Sequence, residues 1–331
     1  MSSPNPDITA STIYKYVNGE VQDNVLTKTP FMNAVKKYGE IKKGVGGTRI
    51  QPPAIRTSGI TPEAWTGRSL HQIPDPVMFT TIVFDWAGYI TQYILLEWDK
   101  LENRPGDTRL FDRNKQVAKS IKADWGPFWE TKVWLDGSSA TPAGIIGVPG
   151  FMKATGTYGG LTQASAGTPW APVRLAGTGI SGKTYANDPI AYICNVRNTM
   201  AIRGAGTGLT MDGDNSVKAF TTQVMWEHLR SFHQAQSFSP VTVKTDDVGF
   251  NFMNIVECNT PIYWSPNATS AQMNFFDFEE FTLWFQTDDM LEVRVSESIQ
   301  PIGQITQLYT KMCLTYGNPW KAGQIHTSGV S

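Results

Sequence analysis

The sequence has little charge of either sign and almost no net charge. Charged residues make up 17% of the chain, below the roughly 25% typical of soluble domains, and the formal net charge is −1. Proteins that bind nucleic acid through their overall charge are strongly basic, so any contact with nucleic acid has to come from a local patch. A net charge near zero also leaves little repulsion between copies of the chain, which favours association.

Cysteines are rare, and no targeting segment is recognisable. Cys194, Cys258 and Cys313 are too few and too far apart for a zinc or disulfide framework, so we expect reduced, buried thiols in a cytosolic setting. The first residues are neither basic nor apolar, and no signal peptide is predicted. The longest apolar runs, such as Tyr93–Leu96, are far shorter than the roughly 18 residues of a membrane span. We expect no contact with a membrane.

Large apolar side chains, in contrast, are abundant. Hydrophobic residues make up 40% of the 331 positions, with 11 Trp, 11 Tyr and 16 Phe. This length accommodates one large domain or two to three smaller ones, and the hydrophobic share is enough for a real core. Disorder is therefore excluded, and the many aromatic rings need surfaces against which they can be buried.

A short amphipathic helix is predicted near the start of the chain. Thr29 is a favourable N-cap, and Pro30 suits the first helical position. Phe31 and Val35 then share one face before Gly39 ends the helix. We assign this helix to an N-terminal arm.

The next segments have the pattern of a long projecting hairpin. Residues 44–78 are rich in Gly, Pro, Thr and Ser, yet Ile60 and Trp65 within them are apolar. Structureless loops longer than roughly 12–15 residues are rare in compact domains unless they have a function. Residues 79–89 then alternate between apolar and polar side chains, as a strand does.

The clearest predicted helix runs from Asp107 or Thr108 to Trp134. Apolar residues recur along it at helical spacing, namely Leu110, Val117, Ile121, Trp125 and Phe128. Three lysines lie on the opposite face: Lys115, Lys119 and Lys122. Because proline lacks a backbone donor and clashes with the preceding turn, we expect Gly126–Pro127 to kink or break this helix near its end.

The elements predicted further along the chain are shorter. Asp188–Pro189 begins a helix that ends at Gly204, and another helix is predicted from about Thr222 to His233. After Phe250 the pattern is that of strands. The predicted strands are Asn251–Glu257, Met273–Phe285, Leu291–Val295 and Ile305–Tyr316, of which Leu291–Val295 alternates like a half-exposed sheet edge.

The segment Gly177–Thr184 matches the phosphate-loop pattern G-x-x-x-x-G-K-[ST] at every position. A working loop follows a buried strand and wraps phosphates at the start of a continuous helix. Here the preceding strand, Val173–Ala176, is short and interrupted by a charge, and Asp188–Pro189 ends any helix that begins at the loop. A nucleotide site and a flexible surface loop both stay open, and the Gly/Ser/Thr-rich context favours the loop.

Other candidate sites have unsuitable spacing. His228 and His233 are five residues apart, which is poor for shared metal ligation on a helix. Asp212 and Asp214 begin a calcium-loop pattern, but the glycine and the distal Glu do not follow in register. Adjacent carboxylates such as Glu279–Glu280 would point to opposite faces of a strand, so we expect surface charges. The sequence therefore predicts no catalytic, cofactor-binding or metal-binding residue.

Two blocks of opposite charge occur in this nearly neutral chain. Lys100–Lys122 carries seven basic and three acidic residues, whereas Asp277–Ser298 carries seven acidic and one basic. Such blocks are usually solvated faces. They also suit complementary contacts between subunits or, for Lys115, Lys119 and Lys122, a face that contacts DNA.

An ordered set of segments resembles the major capsid proteins of tailed bacteriophages. The segments are Thr29-Pro-Phe-Met-Asn-Ala, Gly46-Gly-Thr-Arg-Ile-Gln-Pro-Pro, Phe84-Asp-Trp-Ala-Gly-Tyr, Leu101-Glu-Asn-Arg, Trp134-Leu-Asp-Gly, Gly147-Val-Pro-Gly-Phe, Thr157-Tyr-Gly-Gly, Thr221-Thr-Gln-Val-Met-Trp and Thr260-Pro-Ile-Tyr-Trp. They cover most of the chain. Their specificity comes from their order and spacing, since none is a catalytic signature.

The resemblance implies an α+β fold, that of the tailed-phage major capsid proteins. Its parts are an N-terminal arm, an extended E-loop hairpin, a long spine helix in a peripheral P-domain, and a mixed α/β axial A-domain. The implied segments are 1–43 for the arm, 44–85 for the E-loop, 86–140 for the P-domain with its spine helix, 141–265 for the A-domain, and 266–331 for strands returning to the P-domain and A-domain and for the C-terminal tail.

The resemblance also implies a structural function without catalysis or a cofactor. Chains of this family assemble into pentamers and hexamers of an icosahedral shell around double-stranded DNA. The implied partners are further copies of the chain, packaged double-stranded DNA held by non-specific contacts, a portal, and separate scaffold and cement or decoration proteins. We expect assembly in the host bacterial cytoplasm and a final location in the virion.

We expect the apolar hairpin from Gly44 to Tyr89 to find its core on another subunit. An E-loop that lies across a neighbouring subunit would place Ile60, Trp65 and Arg68 in an intersubunit contact. Some family members carry a long N-terminal scaffolding segment, whereas here the hairpin begins by Gly44, which implies a separate scaffold protein if one is used. Others cross-link through an E-loop lysine. No Lys occurs between Gly44 and Asp99, so we expect a non-covalent shell.

Two other functions stay open on the sequence alone. One is a nucleotide-binding enzyme that uses Gly177–Thr184. The other is a different virion structural protein, such as a tail or connector protein, which would form rings or tubes. Electron microscopy of the assembled protein distinguishes these products from closed icosahedral particles.

Replacing Trp65 by Ala is expected to weaken assembly more than folding of the monomer. The reason is that an intersubunit contact would bury this ring, and a large buried side chain contributes about 1.5–3 kcal/mol in each copy. Particle yield by sedimentation and the unfolding midpoint of the unassembled chain measure the two effects. Equal losses in both would contradict an intersubunit role for Trp65.

Overall fold

The computed structural model shows a chain of mixed helices and strands. It describes residues 29–55, 79–96, 120–121, 124–140, 143–153, 155–163, 170–205, 216–235, 255–269, 271–299 and 302–327. None of the helices in these ranges is long and apolar enough to cross a membrane.

Helix α1 (Pro30–Tyr38) forms where the Thr29–Pro30 pair predicted a helix start. The helix ends at Gly39, whose amide donates to the Val35 carbonyl at 2.8 Å. A Cβ at Gly39 would lie 2.7 Å from that carbonyl oxygen and 2.8 Å from the Phe281 oxygen. Glycine is therefore required where the end of α1 passes close to the backbone of a distant strand.

In the described residues of the hairpin region, six strands follow: β1 (Glu40–Lys42), β2 (Arg49–Ile50), β3 (Pro53–Ile55), β4 (Phe79–Thr81), β5 (Phe84–Asp85) and β6 (Ala87–Leu96). Strands β2 and β5 pair antiparallel, and so do β3 and β4. The chain therefore leaves and returns side by side between residues 49 and 85. These four strands are the base of the predicted hairpin.

The base of the hairpin is buried within its own chain. Ile50, Ile82 and Phe84 are all almost fully buried in the core. The Val83 amide also donates to the Gly159 carbonyl at 3.0 Å, which ties the base to a neighbouring turn. Our expectation that the whole apolar hairpin finds its core on another subunit is therefore wrong for this part, because local packing already covers it.

Helix α2 (124–133), with the helical residues 120–121 before it, is the described part of the helix predicted from Asp107 or Thr108 to Trp134. It continues through Gly126–Pro127, so the helix is not broken there, and the alternative of a kink stays a prediction. Proline in a helix interior costs about 3 kcal/mol or more. Of the predicted stripe, Ile121 and Trp125 are buried and Phe128 is partly buried; Trp129 and Val133, which were not in the predicted stripe, are buried beside them. Each fully buried side chain of this kind contributes about 1.5–3 kcal/mol. Burial of the stripe thus outweighs the cost of the proline.

The other elements of the described residues are α3 (Val148–Phe151), β7 (Thr157–Tyr158), β8 (Leu161–Thr162), β9 (Val173–Ala176), α4 (Pro189–Ile202), β10 (Val217–Thr221), α5 (Gln223–Ala235), β11 (Ile255–Glu257), β12 (Thr260–Trp264), β13 (Gln272–Asp277), β14 (Phe281–Phe285), β15 (Glu292–Ile299), β16 (Ile302–Tyr316) and β17 (Gly323–His326). Helices α4 and α5 occupy two segments that were predicted to be helical. The Asp188 carboxylate caps α4 by accepting from the Ala191 amide at 3.1 Å.

Strand β16 is the centre of a sheet that has five strands in the described residues. Strand β6 pairs antiparallel with residues 303–312 of β16. Strand β15 pairs with residues 302–309 and β14 with residues 312–316, both antiparallel. Strand β6 pairs with residues of β16 that also pair with β14 or β15. Strand β6 therefore lies along one edge of β16, and β14 and β15 both lie along the other edge. Strand β1 extends the sheet by pairing parallel with β14.

The second sheet contains six strands in the part of the chain described, in the order β11-β12-β10-β13-β17-β9. Its central strand β10 is buried along its whole length, as expected for a strand covered on both faces. On one side, Phe275 packs in a cluster with residues of α4 and α5. On the other side, Phe276 joins a larger cluster shared with the five-stranded sheet.

The chain crosses between the two sheets at a short 3-10 turn, Phe278–Glu280. The sequence predicted one strand over Met273–Phe285, and this was wrong, because the Asp277 carboxylate accepts from the Glu279 amide at 3.3 Å and caps the turn. Strand β13 therefore belongs to the six-stranded sheet and β14 to the five-stranded sheet.

The ring of Phe31 lies at the centre of the larger cluster. It makes edge-to-face contacts at centroid distances of 5.2–5.8 Å with five other rings: Trp134, Phe220, Phe276, Phe278 and Phe281. These rings come from the end of α2, from both sheets and from the turn between them. Helix α1 therefore joins both sheets through a single side chain.

Two of the three cysteines form a pair. Cys194 of α4 and Cys258, in the turn between β11 and β12, form a disulfide with their Cα atoms 5.5 Å apart. The expectation of reduced thiols is wrong for these two, since their separation of 64 residues gave no sign that α4 packs beside this turn. Cys313 is free and buried, as expected, and burial raises the pKa of its thiol to about 12.

Replacing Phe31 by Ala is expected to destabilise the chain by about 3–5 kcal/mol, the usual cost of removing a fully buried aromatic ring. Equilibrium denaturation of the full chain measures this loss. Lys36→Ala is the matched control, because Lys36 is exposed on the same helix, and a change within about 0.5 kcal/mol is expected there. A loss of under about 1 kcal/mol for Phe31→Ala would contradict the central role of this ring.

Candidate functional site

Strand β6 buries one side and exposes the other. On the buried side, the Tyr89 ring lies 5.3 Å from Phe128 and 5.0 Å from Trp129, both on α2. Burial raises the pKa of Tyr89. On the exposed side, Ile90 is 60% and Ile94 is 44% exposed, and Leu96 at the strand end is 38% exposed. A strand on the five-stranded sheet thus presents three large apolar side chains to solvent.

Strand pairing extends this exposed side across the sheet. Ile90 lies opposite Tyr309 and Ile94 lies opposite Ile305. Tyr309 in turn lies opposite Glu292, and its hydroxyl donates to that carboxylate at 2.5 Å. The surface formed in this way, here called the outer sheet face, consists of Ile90, Gln92, Ile94, Leu96, Glu292, Arg294, Ile305, Gln307 and Tyr309. Its apolar side chains lie mainly on β6, and its charged side chains lie on β15.

This composition is typical of a surface that binds another protein. Contiguous apolar patches rimmed by polar residues mark interaction sites, whereas single exposed apolar residues are normal. Here Ile90, Ile94 and Leu96 lie on the same side of one strand, with Gln92 between Ile90 and Ile94, and Ile305 lies beside Ile94. The Gln307 amide donates to the Gln92 side chain at 3.4 Å, which pairs the two polar side chains within the face.

A groove of about 380 Å³ lies between the hairpin base and the five-stranded sheet. Its walls include Lys42, Arg49, Pro52, Pro53, Ile82 and Trp284. The Lys42 ammonium pairs with Glu40 at 2.9 Å, and Arg49 pairs with Asp85 at 2.9 Å. Because both cations already have carboxylate partners, the groove offers apolar contact more than charge.

The phosphate-loop segment Gly177–Thr184 connects β9 to α4. Its lysine, Lys183, pairs with the Asp188 carboxylate at 2.5 Å, and this contact lowers the pKa of Asp188. The Tyr192 hydroxyl accepts from the Ile180 amide at 3.2 Å and donates to the Lys183 carbonyl at 3.0 Å. The loop is therefore held against α4 by the side chains of Lys183 in the loop and of Tyr192 in α4. The helix begins only at Pro189, after the loop.

The remaining candidates do not converge on a site. The ring of His228 contacts the Ala186 carbonyl at 3.1 Å, whereas His233 pairs with Glu257 at 2.8 Å. Asp212 and Asp214 lie outside the described residues. Within the ranges that the structure describes, no group of three side chains could hold a metal ion.

The acidic block does not form one surface. Glu280 pairs with Lys321 at 2.5 Å, and Asp289 lies 3.7 Å from Lys43. Asp277 is buried and accepts from the Ser216 hydroxyl at 2.7 Å. At least three of these carboxylates therefore have partners within the chain, which leaves fewer of them for contacts with another subunit.

Two sets of predicted residues lie outside the described residues. They are the predicted contact residues Ile60, Trp65 and Arg68 and the predicted basic face Lys115, Lys119 and Lys122. The outer sheet face was not among the predicted sites. Alternation along β6 could have indicated it, since Ile90, Gln92 and Ile94 fall on one side of a strand. The sequence could not indicate which side other elements cover.

Comparison with known proteins gives similarity in structure only. No protein-family model and no curated protein matches the chain. A chain from the capsid asymmetric unit of cyanophage A-1(L) is similar with a TM-score of 0.65 and 12% identity, over 90% of this chain and 92% of that chain. The capsid of a native GTA particle has a TM-score of 0.54 and 10% identity, over 89% and 90% of the two chains.

A third structure, from Mycobacterium phage Cain, has a TM-score of 0.50 and 14% identity, over 92% of this chain and 91% of that chain. Likeness at such low identity establishes the fold. The chain therefore has the α+β fold of phage capsid proteins, and this confirms the fold class implied by the sequence resemblance. The extents of the E-loop and spine helix stay predictions.

Replacing Lys183 by Ala tests the phosphate-loop interpretation. Neither the native chain nor Lys183→Ala is expected to bind Mg-ATP, because Lys183 is already paired and the loop is tied to α4. Isothermal titration with Mg-ATP measures this. A loss of stability of at most about 1 kcal/mol is expected from breaking this half-exposed ion pair. Binding by the native chain that the variant lacks would establish a nucleotide site.

Proposed function

We propose that the chain is the major capsid protein of a tailed phage, which assembles into pentamers and hexamers of an icosahedral head enclosing double-stranded DNA. The shared fold, matched over about nine-tenths of the chain, supports this proposal. The observation that carries it is the outer sheet face. A shell subunit has to bind copies of itself, and this face is an apolar surface suited to that task.

The energetics of a shell fit such a face. Covering an apolar surface contributes about 25 cal/mol per Å² removed from water. A closed symmetric shell repeats each contact in every copy, so a modest contact is sufficient. A formal net charge of −1 keeps electrostatic repulsion between subunits small.

The hairpin supplies the proposed counterpart of this face. Its base is anchored in the core by Ile50, Ile82 and Phe84. Residues 56–78 connect the two paired arms, and they carry Ile60, Trp65 and Arg68. In the proposed assembly these three residues contact a neighbouring copy, whereas the base stays in its own subunit.

The proposed organisation keeps the implied segments: arm 1–43, E-loop 44–85, P-domain 86–140, A-domain 141–265, and returning strands and tail 266–331. The paired strands at residues 49–55 and 79–85 support the E-loop limits. The crossing of the chain between sheets at Phe278–Glu280 supports strands that return to both domains.

The proposed partners follow from a shell function. Lys115, Lys119 and Lys122 would face packaged double-stranded DNA and bind its phosphates without sequence preference. A portal, a separate scaffold protein and a cement or decoration protein complete the proposed particle. The chain acts as a structural protein of the virion, is assembled in the host cytoplasm, and carries out no catalysis.

Introducing charge into the outer sheet face is expected to abolish assembly. The double variant Ile90→Lys with Ile94→Lys would place two unpaired ammonium groups in the contact with a neighbouring subunit. Burying such groups is strongly unfavourable. Folding should change by less than about 1 kcal/mol, since both side chains are exposed in the single chain. Electron microscopy scores closed particles, and denaturation of the unassembled chain scores folding.

Val224→Lys is the matched control, because Val224 is 48% exposed on α5 and lies away from the outer sheet face. This control should still form closed particles. Normal particles from the double variant would overturn the role of the outer sheet face. Rings or tubes from the native chain would favour the alternative of another virion structural protein.

A further inference from the structure

One carboxyl group is buried between α2 and the six-stranded sheet, where the proposed assembly function does not require it. Glu130 of α2 is 5% exposed. Its Oε1 atom accepts from the Trp134 indole at 3.4 Å and from the Ser265 hydroxyl at 3.2 Å. Its Oε2 atom is buried without a hydrogen-bond partner in the described residues.

Ser265 connects this carboxyl group to the sheet. It directly follows β12 and is almost fully buried. Its amide donates to the carbonyl of Thr221, the last residue of β10, at 2.9 Å. Its own carbonyl accepts from the Ala268 amide at 3.2 Å. A movement of α2 away from Ser265 would therefore separate α2 from the ends of two neighbouring strands.

The surroundings disfavour a charge on Glu130. Burial raises its pKa to about 7, and the hydrogen bonds from Trp134 and Ser265 offset only part of this effect. No charged side chain of the described residues contributes to this pKa. A carboxylate with one bare oxygen in such a site is costly, whereas a neutral carboxyl group is tolerated.

Other titratable groups beside α2 are engaged elsewhere. The Tyr89 hydroxyl accepts from the Ile145 amide at 3.1 Å, and the Lys132 ammonium lies 5.3 Å from the centre of the Phe128 ring. After the helix, Asp136 pairs with Lys153 at 2.5 Å. Glu130 is thus a buried carboxyl group of α2 that has no charged partner among the residues described.

We propose that Glu130 is a protonation-dependent latch between α2 and the six-stranded sheet. When the carboxyl group is neutral, the contact with Ser265 is closed. When it loses its proton, the buried charge is relieved only if α2 moves enough for water to reach Oε2. The latch is a property of the single chain, so it does not depend on the proposed assembly function.

The direction of the pH dependence follows from proton binding. In the closed state Glu130 holds its proton to higher pH than in the open state, where its pKa is that of an ordinary glutamate. The closed state is therefore fully favoured below that ordinary value. It loses stability as pH rises toward neutrality, and the loss levels off above the pKa of the closed state.

Hydrogen exchange of the full chain, followed by mass spectrometry, tests the latch. After correction for intrinsic exchange, peptides covering residues 124–134 and 260–268 should exchange up to about fiftyfold faster at about pH 8 than at about pH 5. In Glu130→Gln, which keeps the shape and cannot ionise, this difference should vanish. Glu227→Gln is the matched control, an exposed glutamate on α5 that should leave the native pH dependence unchanged.

Ser265→Ala provides an independent measurement if Glu130→Gln fails to fold. It removes a hydrogen bond that lowers the pKa of Glu130, so the pH at which the acceleration levels off should move upward. A purely structural serine would change the exchange rates at all pH values by the same factor. The latch is overturned if exchange in the native chain does not accelerate with pH, or if Glu130→Gln still shows this acceleration. It is also overturned if Ser265→Ala leaves unchanged the pH at which the acceleration levels off.

Discussion

The packing of the Phe31 ring is the contact on which the arrangement of both sheets depends. It touches rings from the residue that follows α2, from the six-stranded sheet, from the five-stranded sheet and from the turn that joins the sheets. Aromatic pairs in such edge-to-face geometry contribute about 0.5–1.5 kcal/mol each beyond their burial. Once these rings are in place, the relative position of the sheets is set. The hairpin base and the outer sheet face then have fixed positions on the subunit.

Elements with strong local signals were predictable from the sequence. Thr29–Pro30 and Asp188–Pro189 both begin helices where expected, since proline suits the first helical position and acts within one turn. A side-chain cap adds to this only at Asp188, because the Thr29 side chain makes no capping hydrogen bond. Features that depend on distant partners were not predictable. The strand predicted over Met273–Phe285 divides between two sheets, and Gly126–Pro127 stays helical because its neighbours are buried. The pairing of Cys194 with Cys258 likewise needs the fold to bring α4 to a turn 64 residues away.

The candidate site shows the same division. The apolar hairpin was visible as a pattern, but the single strand predicted over residues 79–89 divides into β4, β5 and the start of β6. Which surface of β6 stays uncovered depends on α2, whose Phe128 and Trp129 pack on Tyr89 and leave Ile90 outside. Glu130 carries no local signal at all, because a glutamate on an amphipathic helix is ordinarily solvated. Only its position against Ser265 makes it unusual.

Strand β16 has a consequence for how this protein can change over evolutionary time. Between residues 304 and 310 its side chains alternate between the core and the outer sheet face, within a ladder that pairs it with β6 and β15. A single inserted residue would exchange the two sides beyond that point, so that Ile305 would turn inward and Leu308 outward. Substitutions can therefore accumulate on its outward positions, whereas changes in its length disrupt the core and the exposed surface together. We therefore expect insertions and deletions to be tolerated only in segments that are not paired in a β-sheet.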